Sequence, residues 1–294
     1  ETTIVFEKET GKAVFNAIVW QSKQTQSLCL EREDKSEFIQ KKTGLRMNPY
    51  FSASKIRYIL DQIPDGQERA RKGELLFGKT HATDITNASR TMLFDIFKKE
   101  FDEELCSIWD IPMCMLPLVK DNNDDYGEAS FFPGHVHING VCGDQQSALF
   151  GQCCFNKGDS KNTYGTGCFM LMNIGDKPII SKQGLLTTIA WSINNKVTYA
   201  LEGSVFIGGA IVQWLRDETR WFEDSSDSEM YAKKRPDTNG VYFVPAFVGL
   251  GTPWWNDDAR GAIFGLTRGA DRHNITRAGL YSIAYQSKDV IETM

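Results

Sequence analysis

No stretch of this sequence approaches the roughly 20 consecutive apolar residues that a bilayer-spanning helix needs, so nothing in it reads as a membrane span. Basic residues are not in excess: 33 Lys and Arg stand against 38 Asp and Glu, a net charge of −5. The cations are scattered, which argues against nucleic acid as a partner. No CxxC pair occurs among the seven cysteines, at 29, 106, 114, 142, 153, 154 and 168. Their odd number and apolar surroundings predict reduced, buried thiols in a cytoplasmic protein, not a disulfide framework or a zinc site. The Gly-Lys-Ser/Thr ending of a Walker A loop is missing, and so is a GxGxxG turn. There is no repeat of fixed period. No signal peptide is visible, and the text opens on Glu1 without an initiator Met, so a further upstream segment is expected.

What is present is ample material for a core. Hydrophobic residues make up 41% and charged residues 24% of 294 positions, enough for two ordinary domains or one large one. Apolar positions Ile4, Phe6, Val14, Ile18 and Trp20 flank Glu9-Thr10-Gly11-Lys12, which predicts a β-hairpin over residues 1–20. Helices are expected within 21–42 and 54–71, and a surface helix pair over 91–109, with Pro112 and Pro117 marking a loop. The acidic run Asp121 to Asp125 reads as a solvated turn. From Gly140 onward, glycine-rich turns alternate with apolar runs. Residues 185–206 predict two strands joined at Asn194-Asn195, and Glu202-Gly203-Ser204 predicts the opening of a helix reaching about Glu218. Residues 275–293 have amphipathic helical spacing. The change of composition places a domain boundary near residue 139.

Two of the glycine turns suggest chemistry. Thr163-Tyr164-Gly165-Thr166-Gly167 could bring its backbone close to a polyphosphate and offer N–H and hydroxyl donors, although such a motif alone is more often a turn satisfying itself. Asp144, in Gly143-Asp144-Gln145-Gln146, follows the apolar run Ile138 to Val141. A carboxylate there could take a proton from an alcohol attacking a phosphoryl group, or it could simply cap the next helix. His135 and His137 alternate on a strand-like stretch but lack a third ligand, so surface histidines are expected; His81 and His273 have no partner in local sequence. The tryptophans read as core or interface.

Taken together, these segments resemble the FGGY family of carbohydrate kinases, and within it the members that act on glycerol. Asn48-Pro-Tyr-Phe-Ser-Ala-Ser-Lys55, Asn87-Ala-Ser-Arg-Thr-Met-Leu93 and Gly143 to Gln146 are similar to the family's text. So are Lys161 to Met172, Leu185 to Ala190, Glu202 to Glu218, and Gly261 to Gly269 with Tyr285-Gln-Ser-Lys288. Tyr50 to Gln62 resembles a family signature, with Tyr58 where Trp is usual. The resemblance implies an α/β, two-domain, actin-like ATPase fold of ribonuclease-H-like type, with a central cleft. It implies residues 1–138 in a glycerol-binding domain and 139–294 in a nucleotide-binding domain. The implied activity is ATP-dependent phosphorylation of glycerol to sn-glycerol 3-phosphate, with ATP and Mg2+ as cofactors, in the cytoplasm and in dimers or tetramers. Asp144 would be the general base and would face the Mg2+ that bridges the phosphates. Glu1, Tyr50 and Gln145 would bind glycerol hydroxyls, and Trp20 and Phe169 would wall its carbon backbone. Thr166 would touch phosphate, with Gly209 and Gln213 near the nucleotide.

The sequence also departs from the family. The N-terminal phosphate turn, the Arg before Glu1 and the C-terminal adenine-binding segment have no counterpart. Shorter deficits are expected between Gly78 and Lys79, near Glu31-Arg32, and between Glu128 and Pro133. Other occupants of the same pattern are a kinase of pentoses or longer polyols, which would need room where Trp20 and Phe169 stand, and a non-catalytic member.

Overall fold

The computed structural model describes residues 2–78, 82–129 and 134–294. Glu1 and His81 therefore lie outside the described residues, as do Lys79 and Pro133 at the two expected deficits. In chain order the elements begin with β1 (Val5–Glu7), α1 (Gln26–Leu30), α2 (Ser36–Thr43), α3 (Ser52–Gln62) and α4 (Gly66–Arg71). Next come β2 (Leu75–Phe77), β3 (Ala82–Asp84), α5 (Ile85–Ala88), β4 (Phe94–Asp95), β5 (Glu100–Phe101), α6 (Glu103–Ile108), β6 (Leu118–Lys120) and α7 (Asp144–Gly151). The remainder is β7 (Ser160–Tyr164), β8 (Cys168–Gly175), β9 (Leu186–Ile193), β10 (Lys196–Val205), α8 (Ala210–Asp217), α9 (Asp227–Lys233), β11 (Tyr242–Val244), β12 (Ala262–Phe264) and α10 (Arg272–Thr293).

The chain divides into two compact units, neither of them continuous in sequence. The first comprises Glu1–Asp159, Asn173–Ser181 and Leu186–Leu201; the second comprises Ser160–Met172, Lys182–Leu185 and Glu202–Met294. The first unit's core holds the fully buried Trp109, Phe51, Phe94, Ile39, Leu45, Ile56 and Leu75. Its β3 and β6 run parallel, Asp84 opposite Lys120, and β9 is joined to β10 by Asn194 and Asn195, both at positive φ as a two-residue hairpin turn demands. The second unit packs α8 and α10 around Ile207, Ile211, Leu215, Phe243 and Ala278. There β7 pairs antiparallel with β8, from Ser160 opposite Met172 to Tyr164 opposite Cys168.

The hairpin of residues 1–20 is present as antiparallel bridges Thr3–Ile18 and Phe6–Ala13, closed by Glu7 N–H to Lys12 O at 2.9 Å, and β1 pairs on with β2, Val5 facing Phe77. Two sequence expectations change. Residues 91–109 hold a two-residue-per-strand hairpin followed by α6 instead of a helix pair. The Asp95 carboxylate accepts from Phe97 and Lys98 N–H and Lys99 turns to φ 65°, so the chain reverses where a helix would continue. Glu202-Gly203-Ser204 lies in β10 and not at a helix start; α8 begins only at Ala210.

The cysteines are not all buried, contrary to the sequence expectation: Cys114 and Cys153 are exposed. Burial pushes the Cys106 thiol up to about 12 and the Cys168 thiol up to about 11, which keeps the reactive thiolate scarce. Iodoacetamide at pH 8 is expected to mark Cys114 and Cys153 first, as read by peptide mass spectrometry. Equal labelling of Cys106 would contradict its burial.

Helix α10 is started by Asp271, whose carboxylate accepts from His273 N–H at 2.9 Å and Asn274 N–H at 3.2 Å, while Asn274 Oδ1 takes the Asp271 N–H in return. The Arg235 guanidinium first, with these N–H groups, holds the Asp271 carboxyl down from the ordinary 3.8 to about 2. Because the native value is depressed, the stabilisation is complete above the unfolded value and fades as pH falls through the native one. Asp271→Ala should cost about 1 kcal/mol in urea unfolding at pH 7, and its deficit should narrow between pH 4 and pH 2.

Candidate functional site

On the first unit, the location of Asp144 follows from what precedes it. The parallel pairing of β3 with β6 sets their carboxyl ends side by side, the edge at which α/β folds collect ligands. Asp84 closes β3, and Asn122 follows β6. Residues 141–143 return to those ends. Val141 donates its N–H to Asn122 O at 3.1 Å, Asn122 Nδ2 donates to Val141 O at 2.8 Å, and Gly143 N–H donates to Thr86 Oγ1 at 2.9 Å. Helix α7 starts immediately afterwards. Its first turn is pinned by buried Gln146, whose Nε2 is 3.4 Å from Thr188 Oγ1 on β9.

The capping role that the sequence allowed for Asp144 is not found. Gly143 is the N-cap, no side chain caps the helix, and Asp144 sits exposed in the first turn. Its carboxylate accepts from Gln145 Nε2 at 3.0 Å, and the positive end of the helix favours a negative charge there. Under α7 lies a cavity of about 410 Å³ lined by Asn122, Val141, Cys142, Ser147, Phe150 and Trp191.

The same unit assembles Trp20 and Tyr50, edge to face with ring centroids 5.4 Å apart. Tyr50 also tilts against Phe51 at 4.9 Å, and the buried Arg90 guanidinium lies 5.6 Å from the Tyr50 ring and 5.2 Å from the Phe51 ring. Asn48 Oδ1 accepts the Tyr50 N–H at 2.9 Å, and fully buried Lys55 donates to Tyr50 O at 2.7 Å. A small cavity of about 80 Å³ opens beside Arg90, Asn87 and Ser52. Tyr50, Phe51 and Arg90 are buried together, and of the three only Arg90 lines that cavity.

On the second unit, the turn Tyr164–Gly167 is fastened to the start of α8. Gly208 and Ala210 donate N–H to Thr166 O at 2.8 and 3.2 Å, and Gly209 donates to Gly165 O at 2.7 Å. A Cβ on Gly208 would meet Cys168 Sγ at 2.7 Å and Gly167 C at 2.9 Å, and one on Gly209 would meet Gly165 O at 2.9 Å. The glycines are thus required by the approach of loop to helix, before any ligand is considered. The Thr166 side chain stays exposed, and so does Gln213, one helical turn beyond Gly209. Phe169 is buried, and its carbonyl accepts from the buried Lys161 ammonium at 3.1 Å, which also donates to Thr163 Oγ1 at 2.9 Å.

The structure therefore brings Trp20 to Tyr50 and Asp144 to Gln145 on one unit, and on the other it brings Thr166 to Gly208 and Ala210, with Gly209 held to Gly165. Among the described residues no group of three or more His, Cys, Asp and Glu is arranged to hold a metal. His135 and His137 instead share Glu128, at 3.0 and 3.4 Å. A single carboxylate at α7 is nonetheless compatible with Mg2+, which commonly takes one or two protein carboxylates and completes its shell with phosphate and water. Sequence reasoning missed Asp84, Thr86, Asn122, Arg90 and Gln146. The available signal was Asp84-Ile85-Thr86, an Asp ahead of a hydroxyl residue at a strand end.

Among the described residues no helix is long and apolar enough to cross a membrane. The family model for the N-terminal domain of FGGY carbohydrate kinases matches residues 1–151, and that for the C-terminal domain matches residues 160–294. The chain is 54% identical to a glycerol kinase of Bacillus subtilis, with 100% of this chain and 63% of that protein covered. It is also 54% identical to a glycerol kinase of Shewanella frigidimarina, covering 62% of it. The alignment to the first runs over 312 positions against the 294 of this chain, so the relative carries residues without counterpart here. Among solved structures, a Plasmodium falciparum glycerol kinase with ADP superposes with a TM-score of 0.86 at 38% identity, over 100% of this chain and 62% of that one. A xylulose kinase from Lactobacillus acidophilus, at 20% identity and TM-score 0.82 over 99% of this chain and 62% of its own, shares the fold. The chain spans just over three fifths of the length of the curated relatives it matches.

Proposed function

The chain belongs to the FGGY family of carbohydrate kinases, and from that premise we propose that its protein transfers the γ-phosphoryl group of ATP to a terminal hydroxyl of glycerol, giving sn-glycerol 3-phosphate. The observation that carries this reading is the Asp144 carboxylate. It is exposed at the start of α7, its helix is capped by another residue, and among the described residues it has no cationic partner. A carboxylate so placed can accept the proton of an attacking alcohol. Similarity to the glycerol kinases of B. subtilis and P. falciparum supports glycerol and ATP as the pair.

The roles follow the chemistry. Asp144 takes the proton from the attacking hydroxyl and would hold Mg2+, which would supply positive charge to neutralise the phosphates. Gln145 holds the Asp144 carboxylate and the hydroxyl beside it. Tyr50 and Glu1 bind the remaining hydroxyls, and Trp20 excludes water from the carbon backbone. Such a triol has little apolar surface, so paired hydroxyls set selectivity. Thr166, Gly209 and Gln213 would hold the nucleotide, with the turn that α8 fastens offered to its phosphates. We place the protein in the cytoplasm, as a dimer or tetramer. The test is a coupled ADP-release assay of the full-length protein with glycerol, xylulose and erythritol as acceptors. Turnover with glycerol at least tenfold above the others is expected; preference for xylulose would replace glycerol as the substrate, and absence of turnover with all three would refute kinase activity.

A further inference from the structure

We infer that Thr86 is a positioning residue for phosphoryl transfer: backed by Asp84, its hydroxyl fixes the Gly143 amide and so aims Asp144. This rests on the reading of Asp144 as the general base. The four residues come from two stretches that meet only in the fold, Gly143 and Thr86 being 57 positions apart.

A backbone N–H can only donate, so the Thr86 oxygen is the acceptor of the Gly143 amide. Asp84 and Thr86 are both fully buried. Asp84 Oδ1 accepts from Thr86 N–H at 2.9 Å, Asn87 N–H at 3.2 Å and Asn122 Nδ2 at 3.0 Å, and also takes the Thr86 Oγ1 proton. The hydroxyl donates to that Oδ1, with Cys142 Sγ at 3.7 Å as a second acceptor, and its lone pairs are left for the Gly143 N–H at 2.9 Å. Asn122 repeats the arrangement one step back: it donates to both Asp84 Oδ1 and Val141 O, while its own backbone carbonyl accepts from Val141 N–H. A buried network in which each member is satisfied has one arrangement. Here that arrangement delivers the N-cap of α7 at a set height above the ends of β3 and β6. Gln146 bonding Thr188 secures the other side of the same turn. Asp144 makes no side-chain cap contact, and its carboxylate meets only Gln145 of the same turn, so the aim of both follows from where Gly143 starts that turn.

Valine matches threonine in shape and lacks the oxygen. In the full-length protein, Thr86→Val should lower kcat with glycerol by about 10- to 100-fold, the loss that a misplacement near 1 Å produces, with KM for ATP unchanged within twofold. Thr86→Ser, which keeps the oxygen, should restore kcat to within about threefold of wild type. In an Asp144→Asn background, Thr86→Val should cost less than about twofold, because the group it aims is gone. A fold-wide effect would instead lower activity equally in both backgrounds. Hydrogen exchange across residues 141–147 is read in parallel and should quicken for the valine variant alone. It serves also where that variant is too unstable to assay, since the serine variant must then retain wild-type protection. Equal kcat for valine and wild type, or equal losses with valine and serine, would overturn the inference while leaving the glycerol kinase reading standing. Absence of glycerol phosphorylation by wild type would refute that reading instead, and unchanged exchange in the valine variant would refute the clamp.

Discussion

Replacing Asp144 by Asn in the full-length protein is expected to lower kcat for glycerol by about 10²- to 10⁴-fold, the usual range for a general base, with KM for glycerol changed only a few-fold. Asn keeps the size of the side chain and an oxygen that can still accept from Gln145 Nε2, so binding geometry is conserved. What disappears is the capacity to take a proton. The loss corresponds to roughly 3–5 kcal/mol in the barrier. Stability cannot account for it, because an exposed carboxylate in a first helical turn contributes only about 0.3–1 kcal/mol through the helix dipole. Steady-state kinetics beside a thermal melt would make the comparison. A variant that melts like wild type and turns over within threefold of it would remove Asp144 from the chemistry.

The second large effect concerns Gly208. Its missing side chain leaves room for Cys168 Sγ and the Gly167 backbone, each of which would stand within 3.0 Å of a new Cβ. Gly208→Ala must push the turn Tyr164–Gly167 off α8, stretching the bonds from Gly208 and Ala210 to Thr166 O. Overpacking of this kind costs about 1–3 kcal/mol, and the melting temperature should drop by several degrees. Because the displaced turn is the one assigned to phosphate, KM for ATP should rise by about tenfold or more, an increase of roughly 1.4 kcal/mol in lost nucleotide binding, whereas KM for glycerol should hardly move. Isothermal titration with ADP would show the same ratio. If both Michaelis constants move together, the turn is a structural joint and not a nucleotide contact.

These two residues also mark what could be read from the chain unaided. Asp144 and the Thr163 to Gly167 turn were legible because their signals are local: an acid after an apolar run, and glycines beside hydroxyls. The hairpin at Asn194-Asn195 was legible for the same reason. Glu202-Gly203-Ser204 misled, because β10 is buried over Tyr199 to Val205 on both faces and so lacks the alternation that distinguishes a strand. Residues 91–109 misled through a carboxylate: Asp95 turns the chain with two backbone bonds that helical spacing does not encode. Thr86 was invisible as part of the site. Its partner amide is supplied by a segment far along the sequence, and only the parallel pairing of β3 with β6 brings the two together.

The discontinuous first unit has a consequence for synthesis on the ribosome. Its last stretch, Leu186–Leu201, supplies Thr188 to Gln146, Ser192 to Asn122, and the Tyr199 hydroxyl to Ile96 O at 2.8 Å. A nascent chain that has emerged only to Asp159 must therefore hold an open core while the ribosome, adding about 5–20 residues per second, completes β9 and β10. For those seconds the Ile96 carbonyl lacks Tyr199 and the Gln146 amide lacks Thr188, so the unit can become native only once that stretch has left the tunnel.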